Sequence, residues 1–400
     1  MRLPPLIACL VAALTFAFST SCSQNLEYPP DYREYAYVTN GRSNSVSVLD
    51  MRSFRPITTI PVGINPTGVA ANARKNEVYV VNTGSGSLSV IDAEQNIVTA
   101  TIALGRNPYF VDVSTDGTRG YVANAASNTV SIIDLAKRRV LRNLGVGSAP
   151  GIVRVSPDGK LLVVTERMSN SVSVIDAETM AVRSSLPICQ QPTDVQILPD
   201  SSKAFIACSG AAQVAVVGLS LRSSHIPSST SDRLLALLDV GKTPVHLALK
   251  PDGGEIFVSN FGADTVSEIT TNTNEVGVTY VIGAGPVHGI VSADNSTLYV
   301  SNFNSDMIAV YSIDDGKTLG WFQVGSRPDA LALSPNQNFL FVVDTAAGDV
   351  SVIRTSLPQR SNLPRERRFP ALTIIPVGQQ PNAIAVKAFQ SHKSAPQPSH

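Results

Sequence analysis

The sequence has no excess of charge of either sign, because Lys and Arg together number 31 and Asp and Glu also number 31. This balance removes the basic footprint of nucleic-acid-binding proteins, so we expect no nucleic-acid partner. No apolar run after the N-terminal segment is long enough to span a bilayer. Charged residues make up only 16% of the chain and hydrophobic residues 43%, which indicates a globular protein with a large core.

Motifs of several common enzymes are also missing. There is no glycine-rich phosphate loop, no His-Glu-x-x-His zinc motif, no Cys-x-x-Cys-His haem attachment and no Gly-x-Ser-x-Gly nucleophile elbow. These absences favour a protein that binds a ligand over one that catalyses a reaction.

The N-terminus has the layout of a targeting segment. Arg2 precedes the apolar run Leu6–Phe18, so residues 1–21 are predicted to be a secretory signal peptide. The Ser-Thr-Ser-Cys end resembles the lipobox of bacterial lipoproteins, which implies a lipid on Cys22, followed by a linker over residues 22–34. We expect an extracytoplasmic protein, held at a periplasmic or cell-surface membrane by this lipid rather than by a transmembrane helix. Plain cleavage and a soluble secreted protein are the alternative.

A turn that ends in proline recurs eight times and sets the architecture. The separations between these prolines are 42, 42, 42, 52, 42, 42 and 53 residues, so two insertions interrupt a constant period. The marker prolines are Pro66, Pro108, Pro150, Pro192, Pro244, Pro286, Pro328 and Pro381.

Each period contains four short runs rich in Val, Ile and Tyr, which predict four antiparallel strands, a to d. In the second copy these runs are Thr67–Ala71, Val78–Asn82, Leu88–Asp92 and Val98–Ile102. Repeats of four strands and this length are typical of β-propeller blades.

The two ends of the chain complete one blade between them. The sequence begins with strands b, c and d at Tyr35–Asn40, Val46–Asp50 and Thr58–Ile60, and it finishes with a lone strand a at Asn382–Val386. Pairing the ends removes exposed sheet edges. We therefore predict an all-β, eight-bladed β-propeller of four-stranded antiparallel blades over residues 35–388, closed by the C-terminal inner strand. Seven blades is the alternative count, and residues 389–400 are predicted to be a disordered tail.

Strand b ends in Tyr-Val-x-Asn in four copies, for example Tyr37–Asn40, and strand c reads Val-Ser-Val-Ile-Asp at Val172–Asp176. Together with the Val-Gly-x-x-Pro turn, these motifs resemble the YVTN-repeat family of β-propellers, found in surface-layer and exported proteins. The resemblance implies the fold and an extracytoplasmic setting. It implies no single activity, since related propellers include lactonases and haem-binding proteins of denitrification.

Two residues after the marker proline, three consecutive copies carry Asp194, His246 and His288. Because this position begins the innermost strand, the three side chains should lie on an arc near one mouth of the central channel. Two imidazoles and a carboxylate can form a transition-metal site, or an acid/base pair oriented by the carboxylate. Buried hydrogen bonding between blades is the alternative, and whether a metal or haem binds stays open.

Two further sets of positions depart from the repeat. Asp112, Arg154 and Gln196, in three consecutive copies, lie two residues further along the inner strand. We expect their opposite charges to pair across a blade interface, because a lone buried charge is costly. A polar arc beside a ligand is the alternative. The Asn that ends strand b, expected to bond local backbone groups, is replaced in three copies. The replacements are Glu166, Cys208 and Asp344.

The end of strand b lies beside the turn before strand a, which brings Cys208 near Cys189 of the same blade. A disulfide between them is possible if their Cα atoms lie within about 7 Å.

The two insertions, Ser220–Asp232 and Thr355–Pro370, fall between strands c and d and should emerge on the opposite face. The second carries a basic cluster, interpreted as a solvated loop or, alternatively, as a docking site for an acidic partner or lipid headgroup, at Arg360, Arg365, Arg367 and Arg368.

These observations predict an exported, non-enzymatic binding or scaffold protein, monomeric, whose channel mouth or rim faces a protein or small-molecule ligand. The alternative is a metal- or haem-dependent propeller enzyme, either a lactonase-like hydrolase or an oxidoreductase. Its site would lie near Asp194, His246 and His288.

Overall fold

A computed structural model describes residue 29 and residues 31–220, 231–355 and 368–391 of the chain. All regular structure in these ranges is β, and 33 strands form eight separate sheets. The strands are β1 (Tyr32–Asn40), β2 (Ser45–Asp50), β3 (Arg55–Pro61), β4 (Pro66–Ala71), β5 (Glu77–Asn82), β6 (Ser87–Asp92), β7 (Ile97–Ala103), β8 (Pro108–Val113), β9 (Arg119–Asn124), β10 (Thr129–Asp134), β11 (Arg139–Gly145), β12 (Pro150–Val155), β13 (Leu161–Glu166), β14 (Ser171–Asp176), β15 (Ala181–Pro187), β16 (Pro192–Ile197), β17 (Lys203–Cys208), β18 (Gln213–Gly218), β19 (Arg233–Asp239), β20 (Pro244–Leu249), β21 (Glu255–Asn260), β22 (Thr265–Thr270), β23 (Glu275–Val281), β24 (Pro286–Val291), β25 (Thr297–Asn302), β26 (Met307–Ser312), β27 (Lys317–Gln323), β28 (Pro328–Leu333), β29 (Phe339–Asp344), β30 (Asp349–Arg354), β31 (Arg368–Pro370), β32 (Thr373–Pro376) and β33 (Pro381–Gln390).

Each sheet is one blade. Blade 1 contains β1 to β3 and β33, blades 2 to 6 contain β4 to β23 in groups of four, blade 7 contains β24 to β27 with β31, and blade 8 contains β28, β29, β30 and β32. Each innermost strand contacts the innermost strands of both neighbouring blades, from β4 round to β33 and back to β4. The prediction of an eight-bladed, all-β propeller is confirmed. In the ranges that the structure describes, no helix is long and apolar enough to cross a membrane.

The core lies between the blades and follows from the apolar runs of strands b and c. These strands have neighbours on both sides and blades on both faces, so nearly every side chain is buried and the sequence does not alternate. Tyr79 and Val81 of β5, for example, pack with Val111 of β8 and Val122 of β9 in the next blade. The outermost strands instead alternate in exposure, as β7 does, because one of their faces meets solvent.

Closure uses a longer strand than the sequence predicts. β33 pairs antiparallel with β1 from Tyr32 opposite Gln390 to Thr39 opposite Ala383. The prediction stops at Val386, where the copies cease to match, but the pairing continues outwards because Phe389 is buried against Tyr35, with their ring centres 5.7 Å apart.

Several predictions concern residues outside the described ranges. These include the signal peptide at residues 1–21, the lipid on Cys22, most of the tail, and the basic residues Arg360, Arg365 and Arg367. Both insertions do lie between strands c and d, after β18 and after β30. The end of the second is more than a solvated loop: β31 pairs in parallel with β27 and adds a fifth strand to blade 7.

Blade 5 contains a disulfide. It joins Cys189, in the turn before β16, to Cys208 at the end of β17, and the two Cα atoms are 5.8 Å apart. Pro192 lies opposite Cys208 in the strand register, which brings the turn and the strand end together.

In four blades the amide nitrogen of the Asn at the end of strand b bonds to side chains of strand c, so the expectation of local backbone capping is wrong for this nitrogen there. It holds in blade 7, where Asn302 donates to the Val300 carbonyl at 3.3 Å. Asn40 donates to the hydroxyls of Ser45, 3.2 Å away, and Ser47, 3.0 Å away. The same bridge recurs at Asn82, Asn124 and Asn260. In blade 4, Glu166 preserves the arrangement with reversed polarity, because its carboxylate accepts from Ser171 and Ser173.

Blade 8 replaces this bridge with two carboxyl groups. Asp344 is fully buried and its Oδ2 accepts from the Ser351 hydroxyl at 2.6 Å. Its Oδ1 and the Oδ1 of Asp349 have no hydrogen-bond partner in the part of the chain that the structure describes. Burial raises the pKa of Asp344, and the adjacent carboxyl of Asp349 raises it further. The folded protein therefore binds a proton here that the unfolded chain, with an ordinary carboxyl pKa of 3.8, releases near pH 4.

We expect Asp344→Asn to restore the bridge of the other blades and to stabilise the protein at pH 8 by about 1–2 kcal/mol, the scale for replacing a buried charge. In the parent, stability should fall as pH rises from about 4 towards the raised pKa, because the folded state holds the extra proton. Urea unfolding between pH 5 and 8 measures both, with Asp314→Asn as an exposed control. If the unfolding free energies of the parent and Asp344→Asn changed with pH in parallel, the folded parent would not bind an extra proton at this site.

Candidate active site at the channel mouth

The central channel opens at the marker prolines into a cavity of about 400 Å³. Every inner strand has an irregular register directly after its proline, as between Pro192 and Asp194, so side chains at the next two positions both reach the cavity. All eight residues two positions after a marker proline line it, as the repeat predicts. They are Gly68, Phe110, Ile152, Asp194, His246, His288, Ala330 and Ala383.

Asp194, His246 and His288 do lie side by side, and the polar atoms of Asp194 and His246 accept hydrogen bonds from the backbone of the inner strands. Asp194 is buried and its two oxygens accept from the N–H groups of Val195, at 2.8 Å, and Leu247, at 3.0 Å. His246 Nδ1 accepts from the N–H of Gly289, and its Nε2 lies 3.8 Å from Asp194 Oδ2. These contacts link the inner strands of blades 5, 6 and 7.

The electrostatics of the three residues favour neutral rings. Burial lowers the pKa of His246 to about 3, and the positive charge of Arg154 contributes. Burial also lowers the pKa of His288 well below its usual value, with His246 next in importance. Burial raises the pKa of Asp194, and Arg154 opposes that rise. A histidine with a pKa near 3 is a weak base at neutral pH, so these rings do not form an efficient acid/base pair.

The same geometry fits a metal or haem poorly. The rings of His246 and His288 stack with centres 3.8 Å apart and planes 29° apart, so their in-plane nitrogen lone pairs do not converge on one point. Both nitrogens of His246 already face protein atoms, which leaves it no nitrogen for a haem iron. Within the described ranges, no three His, Cys, Asp or Glu side chains are arranged to hold a metal ion.

The second predicted set was Asp112, Arg154 and Gln196, and of these three only Arg154 lines the cavity. The expected ion pair between Asp112 and Arg154 is wrong: Asp112 accepts from the N–H groups of Val113 and Val155, at 2.9 and 3.0 Å. Backbone donors at the strand junction satisfy this carboxylate, so it needs no cation. Arg154 instead lies over the Phe110 ring, 4.8 Å from its centre, and lines the cavity. Gln196 donates to the Leu247 carbonyl at 3.1 Å, which again ties blade 5 to blade 6.

Sequence reasoning missed three ionisable residues of the cavity. Tyr109 and Asp329 directly follow marker prolines, and Arg167 follows the Asn-equivalent residue at the end of β13. Tyr109 and Asp329 could have been found by the same comparison of copies, applied to the residue directly after each marker proline. The other copies carry Thr67, Gly151, Thr193, Val245, Val287 and Asn382 at this position.

Asp329 has the most unusual environment in the cavity. Burial alone raises its pKa to about 6, and no hydrogen bond to its carboxylate is found in the described residues. Desolvating a carboxylate without such bonds costs free energy, which other blades avoid by placing neutral residues there. On the same cavity, Arg154 Nε is buried without a hydrogen-bond partner among the described residues. The mouth thus combines a carboxylate that titrates near neutral pH with an incompletely bonded guanidinium.

Comparison with known proteins gives one partial family match. The family described as "Lactonase, 7-bladed beta-propeller" matches residues 270–365, which contain His288 and Asp329. No curated protein matches the chain.

Solved structures resemble the fold over most of the chain at low sequence identity. Dihydro-heme d1 dehydrogenase NirN, in complex with DHE, superposes with a TM-score of 0.70 at 15% identity, covering 88% of this chain and 74% of that one. A putative 6-phosphogluconolactonase from Bacteroides fragilis gives 0.61 at 17% identity, covering 90% and 98%. Hydrazine synthase of Kuenenia stuttgartiensis gives 0.56 at 20% identity, covering 69% and 91%.

These comparisons correct the predicted function. The expectation of a non-enzymatic binding or scaffold protein is wrong, because the family model that matches residues 270–365 describes a lactonase family. The missing motifs misled the prediction because they belong to other folds and say nothing about how a propeller builds a site. The chain is a β-propeller, with its polar cavity at the mouth formed by the marker prolines.

Proposed function

We propose that the protein is a hydrolase that opens a lactone, or a similarly reactive small ester, at the channel mouth. The observation that carries this proposal is Asp329, whose carboxylate lines the cavity and has no hydrogen bond among the described residues, and whose pKa of about 6 suits a general base at neutral pH. The lactonase match over residues 270–365 supports the substrate class, since it includes Asp329.

The proposed reaction uses the chain's own side chains. The Asp329 carboxylate accepts a proton from water while the water oxygen bonds to the lactone carbonyl carbon. The negative charge that develops on the carbonyl oxygen is stabilised by the guanidinium groups of Arg154 and Arg167. The ring C–O bond then breaks, the departing oxygen takes the proton back from Asp329, and a hydroxy acid is released, which leaves the Asp329 carboxylate ready for another turnover.

Asp194, His246 and His288 take a positioning role in this proposal. Asp194 and His246 hold the inner strands of blades 5 to 7 through hydrogen bonds from Leu247 and Gly289. The ring of His288 stacks on that of His246, and both rings line the cavity. A metal is unnecessary for the steps above, because the attacking water is activated by a carboxylate.

Acid release at constant pH tests the proposal directly. With γ- and δ-lactones at pH 7.5, we expect multiple turnovers per protein molecule, and we expect the rate to persist after dialysis against a chelator. The matched open-chain ethyl ester should react more slowly. No acid release above the uncatalysed rate from any lactone, with protein that is folded by circular dichroism, would contradict the function.

The setting of the protein belongs to the same proposal. The YVTN-type motifs and the apolar segment before Cys22 support an exported monomer, anchored by a lipid at the periplasmic face or cell surface, that acts on a small molecule. Mass spectrometry of the mature N-terminus tests the anchor, and an unmodified Cys22 would contradict it.

A further inference from the structure

A second cavity opens beside the channel mouth, between blades 3 and 5. Its volume is about 320 Å³, and we call it the side pocket. It shares Tyr109, Gly151 and Arg167 with the channel cavity, so a single bound molecule can occupy both. The rest of its wall is largely apolar and is formed by Ala125, Ala149, Pro150 and Met168, with Gln191 at the blade 5 side.

Met168 is the unusual residue of this wall. It is 77% exposed, although it lies at the edge of the side pocket in the turn after β13. None of the other seven copies has a large apolar side chain at this position, where the residues are Arg42, Gly84, Ala126, Gly210, Gly262, Asn304 and Ala346. A flexible thioether suits an apolar group of variable shape.

We propose that the side pocket binds an alkyl substituent of the substrate while the lactone ring lies in the channel cavity. This inference rests on the proposed hydrolase function and specifies its substrate class as lactones with a hydrocarbon side chain. Arg167 lies at the junction, where its apolar stem can line the side pocket while its charged end faces the ring oxygens.

Gly151 allows the junction to be closed without disturbing the fold. A Cβ atom at this position would lie 3.4 Å from Thr165 Oγ1 and 3.6 Å from Arg167 Cδ, which are ordinary contacts. The backbone of Gly151 does not adopt a positive φ, so a residue with a Cβ atom is not strained there. Gly151→Leu should therefore fill the junction, whereas Gly151→Ala leaves most of it open.

The test is a series of γ-lactones from γ-butyrolactone to γ-octanolactone. Burial of each added methylene favours binding, so we expect kcat/KM to rise about fourfold per methylene in the parent. Gly151→Ala should retain this slope. Gly151→Leu should flatten it, which is read within each variant as the ratio of kcat/KM for γ-octanolactone to kcat/KM for γ-butyrolactone.

A flat series in the parent, with γ-butyrolactone hydrolysed, would overturn the side-pocket proposal and leave the hydrolase function standing. If no lactone is hydrolysed, calorimetric binding of the two product acids still tests the side pocket. Tighter binding of 4-hydroxyoctanoate than of 4-hydroxybutanoate, lost in Gly151→Leu, would support the side pocket even if no lactone were hydrolysed. Equal binding of the two acids would overturn it.

Discussion

Replacing Asp329 with Asn should lower kcat for lactone hydrolysis at pH 7.5 by about 100-fold or more, the contribution expected of a general base. Asn has nearly the same shape but cannot accept the proton of the attacking water. The fold should be unaffected, because no hydrogen bond to the Asp329 carboxylate is found in the described residues and burial already disfavours its charge. We expect a melting temperature equal to or above that of the parent.

The matched control for this substitution is Asp314→Asn. Asp314 is an exposed carboxylate in the turn between β26 and β27, so removing it changes the net charge by the same amount far from the cavity. Its kcat should stay within twofold of the parent, the error expected for a distant surface change. If Asp329→Asn retained more than about one-tenth of the parent's kcat, another group would have to be the base.

Ending the chain at Gln380 should abolish cooperative folding. This truncation removes β33, which leaves β1 with an unpaired edge and opens the ring between blades 8 and 2. It also deletes the bond from Lys387 Nζ to the Asn72 carbonyl, at 2.7 Å, and that from Asn382 Nδ2 to the Pro66 carbonyl, at 3.0 Å. The loss should be comparable with the whole unfolding free energy of a domain, about 5–15 kcal/mol.

Calorimetry and size-exclusion chromatography measure this effect. The truncated chain should give no single sharp melting transition and should associate through its open edge. Ending the chain at Ser391 is the control, because it retains all of β33, and it should melt like the parent. A synthetic peptide of residues 381–391 should restore a sharp transition to the shorter chain. Parent-like melting of the shorter chain alone would refute closure by β33.

The sequence predicts the fold well because the repeat supplies its own internal comparison. The constant spacing of the marker prolines fixes the blade count, and the unpaired strands at the two ends fix the closure. The end of β33 was harder to predict, because its outer half pairs only with β1 and has no counterpart in the other copies. β31 was missed for the same reason: three residues in an insertion acquire strand geometry only from β27.

The candidate site was only partly predictable. Comparison of the copies correctly places Asp194, His246 and His288 on the cavity, but residue type cannot show that the polar atoms of Asp194 and His246 bind to the backbone of neighbouring blades. Asp329 is the opposite case, because its residue type gives no sign of its role. A single Asp after a proline resembles an ordinary turn residue, and its significance depends on missing hydrogen bonds and on burial, which only the assembled ring reveals.

The pH dependence of kcat/KM for γ-butyrolactone tests the central claim most directly. A base must be deprotonated to act, so kcat/KM should rise tenfold per pH unit below the pKa of Asp329 and level off above about pH 6. In Asp329→Asn this rising limb should disappear from the residual activity. A flat profile for the parent between pH 4.5 and 7.5, or an unchanged rising limb in Asp329→Asn, would contradict catalysis by the carboxylate at the channel mouth.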